Sequence, residues 1–155
     1  MSEGNTTAAE TRKPIASPVE VTPPAGFVAQ ALHDPFEALM GPLFERVEPD
    51  GSRVSAFVAD ERHLHADGYV HEGMMMTFAD AFLGGAAWRG SGDKPCVTMS
   101  LQASFLADVA RGATIECRTK VEKKTRSVMF VSASFTVAGE QVMTATSLWK
   151  VLGER

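Results

Sequence analysis

Between Val97 and Val151 the chain alternates apolar and polar residues in run after run, and a period of two sustained this long points to an antiparallel sheet. Val97, Met99, Leu101, Ala103 and Phe105 alternate with Thr98, Ser100, Gln102 and Ser104, the pattern of a half-buried strand. Ile115, Cys117, Thr119 and Val121 alternate with Glu116, Arg118, Lys120 and Glu122. Met129, Val131, Ala133, Phe135 and Val137 follow against mostly small polar partners. Ala138-Gly139-Glu140 turns the chain into a last strand that ends near Val151. Upstream, Pro49-Asp50-Gly51 reads as a tight turn, because Pro sets one dihedral and Gly accepts a positive one. A strand from about Arg53 to Ala59 should come next.

The segment between these strands has a different period. His71-Glu72-Gly73 opens a helical run in which Asp80 is the one charged residue between Met74 and Trp88. At about 100° per residue, Met75, Phe78, Ala79, Phe82, Leu83 and Ala86 fall on one broad face. Asp80 falls outside it, beside Thr77, Ala81 and Gly84, whose small side chains let another chain or a ligand approach the backbone. Nearer the N-terminus, Phe27, Val28, Ala31 and Leu32, then Phe36, Leu39, Met40, Leu43 and Phe44, recur at spacings of three and four. They predict two short helical pieces broken near Asp34-Pro35. The order of elements is that of an α+β domain in which a curved antiparallel sheet wraps one long central helix.

A length of 155 residues with 45% apolar and 22% charged content suits one domain, placed at residues 27–155. Residues 1–26, rich in Ser, Thr, Ala, Glu and Pro, predict a mobile tail. A net charge of -4 with no basic stripe argues against nucleic acid as a partner. No stretch approaches the ~20 apolar residues of a membrane span, and the start lacks the pattern of a signal peptide. Two cysteines, Cys96 and Cys117, form neither a disulfide framework nor a metal knuckle and read as strand residues, so the expected compartment is the cytoplasm.

His71-Glu72-Gly73 with Asp80 nine positions after His71 resembles the His-Gly-Gly and downstream Asp of hotdog-fold acyl-CoA thioesterases, specifically the phenylacetate-pathway (PaaI-like) branch. Gly68-Tyr69-Val70, Phe105-Leu106 and Arg111-Gly112 extend the likeness, which covers roughly Phe36 to Val151. The resemblance implies a hotdog homodimer or homotetramer without a cofactor, whose site takes residues from two chains. Asp80 would be nucleophile or general base, and the Glu72 N–H at the helix start would donate to the thioester carbonyl. His71 and Gly73 complete the motif, with His71 fixing the turn into the helix.

Two positions depart from the family pattern. Glu72 stands where Gly is usual, and His65 where relatives carry Asn or Gln toward the carbonyl or the attacking water. Thr98 matches a family Ser or Thr that holds the water or the carboxylate, and it reads equally well as an outward strand residue. Lys123, Lys124 and Arg126 give three positive charges within four residues, suited to CoA phosphates or to a solvated turn. Tyr69 and Met76, with Leu64, Met74 and Met75, are candidates for an acyl pocket, although Met runs also fill cores. His63, His65 and His71 with Asp80 contain metal-ligand residue types, but the resemblance implies no metal.

The expected activity is hydrolysis of a medium-chain or aryl acyl-CoA to free acid and CoA. A noncatalytic hotdog module that binds an acyl thioester or lipid-like ligand is the alternative, drawn from the departures at Glu72 and His65. Hydratase chemistry would need an Asp and His spacing that is not evident here.

Overall fold

The computed structural model describes residues 13–153. Residues 1–12 of the expected tail lie outside the described residues. Residues 13–26 form no helix or strand, but the Ile15 N–H donates to the Leu32 carbonyl at 2.7 Å and the Ser17 hydroxyl to the Gly41 carbonyl at 2.7 Å.

Seven strands form one antiparallel sheet around one long helix. In chain order these elements are β1 (Val28–Ala29), α1 (Pro35–Met40), β2 (Phe44–Val47), β3 (Arg53–Val58) and α2 (Glu72–Gly90), then β4 (Cys96–Phe105), β5 (Thr114–Lys124), β6 (Val128–Val137) and β7 (Glu140–Val151). Across the sheet the strands run β1-β2-β3-β5-β6-β7-β4, so β4 lies at an edge with one side unpaired. The tight turns fall where the sequence puts them. Gly51 takes φ of 84° between β2 and β3, and Ala138-Gly139 closes the β6–β7 hairpin with both residues at positive φ.

The buried face of α2 carries Met75, Phe78, Ala79, Phe82, Leu83 and Ala86, as its period requires, and Ala87 in addition. Phe78 stacks on Phe57 of β3 with ring centroids 3.4 Å apart, while Phe82 stacks between Phe78 and Phe135 of β6 at 6.1 and 6.4 Å. Apolar burial of this kind stabilises by roughly 25 cal/mol per Å² of area removed from water. Cys117 is buried on β5, and that burial pushes its thiol pKa up; Cys96 is half-buried on β4.

Two expectations are corrected. Phe27 to Leu32 is not helical: Val28 and Ala29 pair with Glu45 and Phe44 of β2. A single turn's worth of spacing cannot distinguish a helix from an edge strand, and the adjacent sheet edge supplies the acceptors and donors that decide it. The second piece is a helix, with Pro35 at its first position and Asp34 Oδ1 accepting from the Phe36 N–H at 2.9 Å, but it stops at Met40 and Phe44 begins β2.

The second correction concerns β4. A bulge between Thr98 and Ser100 inserts a residue, so the alternation does not hold one phase along the strand. Thr98 pairs with Trp149 and turns toward α2, while Val97, Met99 and Phe105 are 47%, 56% and 45% exposed. Leu101 and Ala103 beyond the bulge are half-buried against the core as expected, whereas Val97 before it, Met99 within it and Phe105 at the strand end are not.

Gly84 lines a cavity beside Asp80, as its small size allows, and that size also serves this chain's own packing, since a Cβ there would meet the ring of Trp149 at 2.8 Å. Trp149 is itself buried and donates its Nε1–H to Ser147 Oγ at 2.7 Å, so the ring cannot easily give way. Gly84→Leu is expected to lower stability by about 2 kcal/mol through overpacking. Urea denaturation measures it, and an unchanged midpoint would show that the ring has room.

Candidate active site

The site is built on α2 and the elements that border its open side. Asp80 projects from the one face of α2 that the sheet leaves uncovered, and it is exposed in the single chain rather than buried. The Thr98 hydroxyl donates to Asp80 Oδ1 at 2.8 Å, which fixes the carboxylate from the neighbouring strand. The bulge in β4 makes this contact possible.

Two cavities meet at Asp80. The smaller, about 310 Å³, is lined by Phe36, Met76, Thr77, Ala81 and Leu101 together with Asp34 and Glu37. The larger, about 650 Å³, runs along Ala81, Gly84 and Gly85 between Trp88, Trp149 and Val97, with Gln30 to Asp34 and Glu37 on its far side. Burial pushes the Glu37 carboxyl pKa up, and the charges of Asp34 and Asp80 add to the effect. Sequence patterns alone miss Glu37, Asp34, Trp88 and Trp149. Nothing local marks them, because α1 and β7 reach Asp80 only through the fold.

The start of α2 is a second cluster. His71 caps the helix, its Nδ1 accepting from the Gly73 N–H at 2.9 Å, so this ring carries its proton on Nε2. His65 Nε2 lies 2.7 Å from Glu72 Oε2, and because an ionised carboxylate only accepts, Nε2 is the donor. The rings of His65 and His71 stack with centroids 4.1 Å apart. Hydrogen bonding to its own backbone N–H, then to His65, holds the Glu72 carboxyl below the usual glutamate range. The residue expected to offer an N–H to a carbonyl thus has its own carboxylate held by His65 at the same end of the helix. A cavity of about 270 Å³ borders this end, lined by Val70, Glu72, Met75 and the Phe105–Val109 loop.

Not all the sequence-predicted residues converge. Eight residues separate Glu72 from Asp80, about 12 Å along a helix, which is too far for both to address one carbonyl within a chain. Met76 lies beside Asp80, whereas Tyr69 sits exposed on the loop before α2, bridged to Ala110, and lines none of these cavities. Met75 is core, and Leu64 and Met74 pack against it. Lys123 and Lys124 are the last residues of β5 rather than a turn, and Arg126 follows. Lys124 Nζ donates to the Gly90 carbonyl at 2.9 Å, closing the C-terminal end of α2, about 15 Å along the helix from Asp80. One chain does not bring the three cations to Asp80.

The possible metal ligands also separate. His63 is 2% exposed; its Nδ1 accepts from the Asp60 N–H at 3.1 Å and its Nε2 donates to the Met40 carbonyl at 2.9 Å. Both nitrogens are therefore used. Of the described residues, His65, His71 and Glu72 hold possible ligand atoms within 4.8 Å of one another, and neither His63 nor Asp80 belongs to that group. No helix among the described residues is long and apolar enough to cross a membrane.

A long helix wrapped by an antiparallel sheet, with a hydroxyl-held carboxylate on its open face, defines a hotdog domain of the thioesterase type. The chain belongs to the thioesterase superfamily, whose family model matches residues 67–144. It is 32% identical over 125 residues to Putative esterase PA0474 of Pseudomonas aeruginosa, covering 80% of this chain and 92% of that one. Among solved structures, it resembles a phenylacetic acid degradation-related protein of Ralstonia eutropha JMP134 at 26% identity, covering 76% of this chain and 91% of that one, with a TM-score of 0.68. A thioesterase-like protein of Streptococcus pneumoniae solved with coenzyme A shares the fold at 19% identity, covering 73% and 90%, with a TM-score of 0.65.

Proposed function

We propose that this protein is an acyl-CoA thioesterase that hydrolyses a medium-chain or aryl acyl-CoA to the free acid and CoA. The observation that carries the reading is the Asp80 carboxylate, held by Thr98 and open to two cavities that carry large apolar side chains. In this reading Asp80 activates water, or attacks the thioester carbonyl itself, and the acyl group lies against those apolar side chains. The Glu72 N–H stabilises the oxyanion at the positive end of α2, with His71 and Gly73 shaping that end and His65 holding the Glu72 carboxylate. Lys123 and Arg126 are left to meet the CoA phosphates. Thr98→Val, which keeps the shape and removes the donor, is expected to lower kcat about tenfold by freeing the Asp80 carboxylate to rotate. Steady-state thiol release measures it.

The reading requires a second copy of the chain, in a homodimer or a homotetramer. An edge strand of ten residues with exposed Val97, Met99 and Phe105 is a surface that needs a partner. The separation between Glu72 and Asp80 then has a use, because the donor of one chain can face the carboxylate of the other. A mixing experiment tests the arrangement. Asp80→Asn removes the carboxylate, and Glu72→Pro removes the N–H at the first helical position, where Pro is tolerated and the extended His71 already suits a following Pro. Each variant alone should be inactive. Co-refolded mixtures should recover roughly a quarter of wild-type activity, since half the dimers are mixed and each holds one intact site. A dead mixture of two folded variants would place both groups in one chain's site and overturn the shared arrangement.

One observation favours the noncatalytic acyl-binding module, namely the Glu72 carboxylate held by His65 at the helix start, where the family motif carries Gly. Saturable acyl-CoA binding without thiol release from short, medium, long or aryl substrates would establish that alternative.

A further inference from the structure

Three carboxylates, Asp34, Glu37 and Asp80, line both cavities that meet at the proposed reaction centre. Neither lining contains a Lys or Arg, and His33 on the larger cavity is the one basic side chain present. No ion pair among the described residues engages any of the three. Asp34 is occupied as the cap of α1 and Asp80 by the Thr98 hydroxyl, but no described donor reaches the Glu37 carboxyl. Glu37 is half-buried, and its raised pKa reflects that burial first and the other two charges next. The largest side chains on the remaining walls are apolar, from Phe36, Met76 and Leu101 on one side to Trp88 and Trp149 on the other, with Gln30, His33, Thr77 and Thr98 as polar residues between them.

We propose that Glu37, assisted by Asp34, makes the acyl pocket selective for neutral acyl groups and against acyl groups that end in a carboxylate. The inference rests on the thioesterase reading for its substrate and adds a residue and a substrate class to it. An acyl chain that carries its own terminal carboxylate would bring another negative charge into a half-desolvated space with no Lys or Arg of this chain to receive it, where like charges interact more strongly than in water. A neutral alkyl or aryl group adds no charge to that space and packs against the apolar side chains. The same field acts on the product, because hydrolysis converts a neutral thioester into a carboxylate beside Asp80 and so favours its departure.

Hexanoyl-CoA and adipoyl-CoA differ by one terminal carboxylate and provide the comparison. The readings are kcat/KM for the two thioesters and Kd for their non-hydrolysable thioethers, hexyl-CoA and carboxypentyl-CoA. Wild-type protein should prefer the neutral member in both. Glu37→Gln, which keeps shape and removes charge, should raise the adipoyl-to-hexanoyl ratio roughly tenfold, equivalent to about 1.4 kcal/mol. Glu37→Lys should raise it further. Asp34→Asn keeps a capping side chain on α1 and should move the ratio in the same direction, which tests the idea if Glu37 variants fold poorly. Unchanged ratios in folded Glu37→Gln and Asp34→Asn overturn the selectivity. Absence of turnover with hexyl-CoA still preferred in binding overturns the thioesterase reading and leaves the charge filter standing.

Discussion

Asp80→Asn is expected to lower acyl-CoA hydrolysis by about a thousandfold while leaving the protein folded and assembled. Asn preserves the size of the side chain and an oxygen for the Thr98 hydroxyl, so the β4–α2 contact persists. It removes the negative charge and the basic oxygen, which are the properties that a general base or a nucleophile needs. Asp80 is exposed in the single chain, so its replacement leaves no cavity in the core. Thiol release from an acyl-CoA panel measures the loss, with circular dichroism and light scattering on the same samples to establish fold and assembly. Activity within a few-fold of wild type would remove Asp80 from the chemistry.

The largest stability effect is expected at His63, which the sequence groups with the other histidines and the fold puts in the core. Its ring meets Phe57 and Phe78 edge-on at 5.9 and 5.5 Å, and its two nitrogens hold the Asp60 N–H and the Met40 carbonyl. His63→Ala should cost about 3 kcal/mol, from the lost packing and from two main-chain groups left without their partner. Burial pushes the imidazole below its ordinary value of 6.5, because a proton on Nδ1 would be desolvated and would displace the Asp60 N–H. Since the folded pKa is depressed, the unfolded chain takes up the proton first. The contribution is therefore fully present above about pH 6.5 and is lost as the pH falls from there toward the folded value. Urea titrations at about pH 7.5 and about pH 5.5 should show wild type losing stability on acidification, with the His63→Ala variant losing less. Equal acid sensitivity in the two proteins would assign the effect to other groups.

Elements governed by neighbours along the chain are legible in the amino-acid sequence. The period of α2, its buried face, the three long strands after β4 and the turns at Gly51 and Ala138-Gly139 follow from local sterics and hydrophobic spacing, which residues a few positions apart determine. The thioesterase family is legible from His71 to Asp80 and the residues around them, through resemblance rather than through spacing alone. Periodicity carries less at the edges. A bulge at Met99 is invisible in an alternating string, and it is what turns Thr98 toward Asp80.

The same limit applies to the acidic cavity walls and the buried histidine. Glu37 and Asp80 lie far apart in sequence and share a cavity because the segment around α1 packs across the open face of α2. Gly84 reads as open to a visitor in the sequence, and the sheet order places Trp149 against it. By itself the sequence determined the long helix and the long strands, the singular carboxylate on that helix and the family. Tertiary structure alone decided which groups surround that carboxylate, because strand order, register and the packing of α1 depend on contacts between distant residues that no local pattern encodes.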